Sequence, residues 1–87
     1  MPRYAATFTV SCMTRQAFET LARRLSLAAD VSDVRIQASF TGGVMLLECT
    51  APDRPALDAW MAREHLVPSN VVRLDVAVEA GGVTTFP

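Results

Sequence analysis

The 87-residue chain contains no lysine; all eight of its basic residues are arginine. Nine acidic residues offset them, leaving a formal net charge of −1. Non-specific nucleic-acid binding needs a dense basic footprint, so no nucleic-acid partner is expected. Two cysteines are too few for a disulfide scaffold, and a reducing compartment keeps both as thiols. The single histidine, His65, has no Cys, His or Asp companions at ligand spacing, so no residue is assigned to a metal and no cofactor is expected. A Gly-rich phosphate loop, a serine nucleophile elbow and a His-Glu zinc helix are all missing. No run of about 18 apolar residues occurs, which excludes a membrane-spanning helix. The opening Met1-Pro2-Arg3-Tyr4 lacks the basic-then-apolar layout of a signal peptide, so the expected location is the cytoplasm.

What the chain has in quantity is apolar surface. Hydrophobic residues make up 51% of it and its mean hydropathy is positive. A domain this small hides a limited share of its surface. The ordinary remedy is a symmetric dimer, and a homodimer is expected.

Four segments alternate apolar and polar residues with period two, and two segments of helical period interrupt them. The order is β-α-β-β-α-β. The first strand runs from Tyr4 to Cys12, with Tyr4, Ala6, Phe8, Val10 and Cys12 inward and Ala5, Thr7, Thr9 and Ser11 outward. A helix follows from a Thr14 N-cap to about Asp30, with Phe18, Leu21, Ala22, Leu25 and Ala29 as its apolar stripe. The second strand spans Asp33 to Thr41. Gly42-Gly43 turns the chain into the third, Val44 to Thr50, where both faces are largely apolar, as in a central strand covered on two sides. Asp53 caps the second helix, Pro55 falls in its first turn, Leu57, Trp60 and Met61 form its apolar side, and Val67-Pro68-Ser69-Asn70 stops it. The last strand spans Val71 to Glu79, with Val72, Leu74, Val76 and Val78 inward and Arg73, Asp75, Ala77 and Glu79 outward. Residues 1–80 form one domain and 81–87 a tail.

This order in so short a chain predicts an α+β ferredoxin-like sandwich: a four-stranded antiparallel sheet, order 4-1-3-2, with both helices on one face. The first and third strands are read as parallel central neighbours. That reading brings Cys12 and Cys49 together under the helices, as two buried thiols acting as small hydrophobes.

The helix-free face is the expected site. Thr7, Thr9, Arg35, Gln37, Glu48, Arg73 and Asp75 project onto it, beside Val44 and Leu46. It carries no aromatic residue, and base-stacking RNA recognition needs aromatics on central strands. Two sheets packed face to face would enclose a polar-walled chamber. There Arg35 or Arg73 holds an anionic group of a small molecule and Glu48 or Asp75 serves as a base, or the four charges pair with one another across the interface. His65 reads as a solvent-facing residue at the negative end of the second helix.

Met1-Pro2-Arg3-Tyr4, the stretch from Gly43 to Asp53 (Gly-Val-Met-Leu-Leu-Glu-Cys-Thr-Ala-Pro-Asp) and Val67-Pro68-Ser69-Asn70-Val71-Val72 resemble a family of short bacterial ferredoxin-like proteins, mostly of unknown function, with a nickel-responsive, nickel-binding dimer among its members. Thr50 departs from the acidic residue such proteins carry before Ala-Pro, and aliphatics replace their aromatic/Cys pattern in the third strand. The resemblance implies the fold and a dimer, and it carries no metal ligand over to any residue here. In layout the chain also resembles the wider class of dimeric α+β barrels, which includes small cyclases, isomerases and monooxygenases. Three expectations follow: a non-enzymatic dimer that binds a small ligand or protein partner, a metal-independent acid/base enzyme built on a dimeric barrel, or a nickel-responsive protein.

Overall fold

A computed structural model describes residues 1–87. In chain order the elements are β1 (Arg3–Thr9), α1 (Arg15–Ser26), β2 (Ser32–Ser39), β3 (Val44–Thr50), α2 (Arg54–Arg63), β4 (Asn70–Leu74), β5 (Val76–Glu79) and β6 (Gly82–Thr85). The first four strands form one antiparallel sheet in the order β2-β3-β1-β4, and β5 and β6 pair as a separate hairpin. Two helices over one face of this sheet give the ferredoxin-like α+β arrangement.

Local chemistry sets both helices. The Thr14 hydroxyl accepts from the Ala17 amide at 3.1 Å, and the Asp53 carboxylate accepts from the Ala56 amide at 2.8 Å. Each fills one of the donors that an α-helix leaves unpaired at its start. Helix α2 ends in a Schellman motif: His65 N–H donates to the Ala62 carbonyl and Leu66 N–H to that of Met61, with His65 left-handed at φ 58°. Two ion pairs, Arg24–Glu64 at 3.0 Å and Arg63–Asp30, tie the helices together at the surface.

The core is one cluster in which Tyr4, Ala6 and Phe8 of β1 and Met45, Leu47 and Cys49 of β3 meet Leu25 of α1 and Leu57, Trp60 and Met61 of α2. Twelve of the 87 residues are buried, and all twelve are hydrophobic. Each fully buried Leu or Met contributes about 1.5–3 kcal/mol through the water it leaves.

Several expectations give way here. β1 and β3 are antiparallel, not parallel. The crossover through α1 makes β2 run the same way as β1, and the Gly42-Gly43 turn then reverses the chain, so β3 between them opposes both. Tyr4 is therefore the residue opposite Cys49. β1 ends at Thr9, and Cys12 lies past that end in an exposed bend, left-handed at φ 59°, at the opposite end of the sheet from Cys49. Leu46 of β3 is 43% exposed, so the central strand is covered on one side only in the single chain.

The last strand differs most. It stops at Leu74, and Ala6 pairs with Val71, so Val71 joins the core while Val72 and Leu74 turn away from it. A slip of one residue exchanges every side chain between faces, and the Val71-Val72 pair allows either choice. The register is held by Ser69 N–H, which donates to the Thr7 carbonyl at 2.7 Å. Val76–Glu79 leaves the main sheet and pairs with Gly82–Thr85, which form a strand and not a tail.

Candidate functional site: the open sheet face

Strand pairing lays the helix-free face out as a grid. Its rows read Ser39–Val44–Thr9, then Gln37–Leu46–Thr7–Asn70, then Arg35–Glu48–Ala5–Val72, and at the far end Thr50–Arg3–Leu74. Five of the seven expected site residues, Thr7, Thr9, Arg35, Gln37 and Glu48, share this surface. The other two do not. Arg73 pairs with Tyr4, which places it on the helix side at the sheet edge, where its guanidinium donates to the Pro87 carbonyl at 2.7 Å. Asp75 lies between β4 and β5, and its backbone carbonyl accepts from Phe86 N–H at 2.8 Å.

Arg35 and Glu48 do not pair with each other. Arg35 and Glu48 are cross-strand neighbours, yet Arg35 reaches Glu79 of β5 and Glu48 reaches Arg3, each at 3.9 Å. None of Arg35, Glu48, Arg73 and Asp75 forms an ion pair with another of the four, and they do not converge on one cavity.

Arg3, left out by the sequence reading, organises the far end of the face. Its guanidinium donates to the Asp33 carbonyl at 2.9 Å and to the Thr50 hydroxyl at 3.3 Å, and it lies 6.0 Å from the Phe86 ring centroid. Asp33 offers that carbonyl from a β-bulge, left-handed at φ 50°, where β2 slips against β3. At the other end, Gln37, Ser39, Val44 and Leu46 line a dimple of about 170 Å³. The Thr9 and Ser69 hydroxyls are 3.2 Å apart at the same end.

On the helix side, a cleft of about 420 Å³ opens over Phe8, Val10, Leu21 and Leu66, rimmed by Arg24, Glu64 and His65. The Arg24–Glu64 pair closes its charges on each other, and His65 sits on its rim as the helix-stopping residue. No three His, Cys, Asp or Glu side chains gather as metal ligands anywhere in the chain. Burial pushes the Cys49 thiol up to about 11, against the opposing pull of Arg3.

Val72, Asn70 and Leu74 are the other face residues missed in the sequence. The hairpin did have a signal: Gly81-Gly82 between two Val/Thr-rich runs repeats the turn chemistry of Gly42-Gly43. Comparison with family models, with curated proteins and with solved structures finds no match for this chain.

Proposed function

We propose that this chain is a binding protein that acts as a homodimer, covering its open sheet face with the same face of a second copy. One observation carries the reading: both helices lie behind the sheet, while Leu46 and Val72 stand 43% and 46% exposed in front of it. Such a surface is what a sheet-on-sheet contact buries. The hydroxyls and amides around these aliphatics, Thr7, Thr9 and Gln37, and the exposed guanidinium of Arg35 are the groups a small anion-bearing ligand would meet between the two sheets. Glu48 is engaged by Arg3, Arg35 by Glu79, and Asp75 lies outside the sheet, which favours binding over acid/base catalysis.

Size exclusion with light scattering at micromolar concentration tests the dimer. The expected mass is twice 9.4 kDa. A species of 9.4 kDa persisting at high micromolar concentration overturns the reading. Isothermal titration of the dimer with inorganic phosphate and small carboxylates tests the ligand site. Binding that is lost in Arg35→Ala supports it, and the absence of any heat with every anion tried removes it.

A further inference from the structure

We propose that the β5–β6 hairpin of each copy docks its valine face into the dimple of Gln37, Ser39, Val44 and Leu46 on the partner's sheet face. This rests on the homodimer reading and names the segment that completes the contact. The pairing Val78↔Val83 and Val76↔Thr85 gathers three valines on one face of the hairpin, with Ala77, Glu79 and Thr84 on the other. Glu79 points back to Arg35 of the hairpin's own sheet, so the valine face turns outward. Val76, Val78 and Val83 are 55%, 74% and 67% exposed. A lone two-stranded hairpin is marginal in water and needs a surface to pack on, and nothing in its own subunit covers these valines.

The position of the hairpin selects the occupant. Its anchors, Phe86 against Arg3 and Glu79 against Arg35, lie in the last two rows of the grid, at one end of the strands. The dimple of Gln37, Ser39, Val44 and Leu46 occupies the first two rows, at the other end. Both lie toward β2: Glu79, beside the hairpin turn, reaches a β2 residue, and Gln37 and Ser39 belong to β2. A two-fold axis in the plane of the contact, running across the strands, exchanges the two ends and keeps the β2 side. It sets each hairpin over the other copy's dimple, and the contact is then isologous.

Area and charge agree with this occupant. Four strands about 4.8 Å apart and five to eight residues long cover a footprint of roughly 430 Å². A stable interface takes about 800 Å² of accessible surface per partner, and the hairpin extends the contact toward that size. The valine face carries no charge and neither does the dimple it meets, so docking leaves no ion unpaired, while Glu79 on the hairpin's other face keeps its pair with Arg35.

The test is a disulfide trap. In a Cys12→Ser background, Leu46→Cys is combined with Val78→Cys and the protein is oxidised mildly. Most of the chain is expected to run as a covalent dimer on a non-reducing gel, with far less from either single substitution. A double variant that stays monomeric on that gel, while light scattering shows the wild type to be dimeric, overturns the hairpin contact. A second measurement uses exposed sites that leave the fold intact: Val78→Glu with Val83→Glu is expected to raise the dimer dissociation constant at least tenfold. If it is unchanged while Leu46→Lys dissociates the dimer, the hairpin inference fails and the open-face dimer survives. A monomeric wild type removes both.

Discussion

Ala5 and Val72 stand opposite each other across the β1–β4 pair, and this one register decides what the open face is made of. It puts Val72 in front of the sheet, sends Arg73 behind it beside Tyr4, and leaves Asp75 outside the strand. The face is thereby more apolar and less charged than alternation along the last strand predicts.

Leu46 gives the sharpest substitution. In the free subunit it is 43% exposed, so Leu46→Lys should leave the subunit's stability within about 0.5 kcal/mol of wild type. In the dimer the ammonium would be stripped of water against an apolar partner surface. Sedimentation velocity should show at least a tenfold weaker dimer, with an unchanged circular dichroism spectrum.

The two cysteines should respond differently. At pH 8, Cys12 is expected to react with a thiol reagent in the native protein, while Cys49 reacts only after denaturation. Burial raises the Cys49 thiol from 9.0 to about 11, so between those pH values the native state holds a proton the unfolded chain has released. Stability carried by the neutral thiol is complete below pH 9 and should fall as pH climbs toward 11. Denaturant titrations of wild type and Cys49→Ala across that window check the sign: the wild type should lose more.

His65 is a helix stop. A left-handed backbone costs a residue with a Cβ about 1–2 kcal/mol, and glycine is free of most of that cost. His65→Gly should stabilise the protein by about 1 kcal/mol, or roughly 4–8 °C in melting temperature for a domain of this size. A lower melting temperature would show that the imidazole makes a contact the backbone account leaves out.

Elements whose cause is local were readable in the sequence. Thr14 and Asp53 cap their helices because a side-chain oxygen three residues before a free amide is sufficient, and Gly43 turns because its φ of 66° favours a residue without Cβ. The four-strand order followed from element order. What failed depended on tertiary choice. Nothing in Val71-Val72 says which valine faces the core, and that choice moved Arg73 off the face and brought Val72 onto it. Continuous alternation from Val72 to Val78 read as one strand, although Asp75 breaks it and Gly81-Gly82 folds the remainder into a hairpin. The pairing of Cys12 with Cys49 failed on strand direction, which the Gly42-Gly43 turn already dictated.

The most direct test is a filtered nuclear Overhauser experiment on a mixture of ¹³C-labelled and unlabelled protein, which records only contacts between copies. Intermolecular signals from the Leu46 and Val72 methyls are predicted. Signals confined to residues of α1 and α2, or none at all at millimolar concentration, would contradict the claim that a second copy covers the sheet.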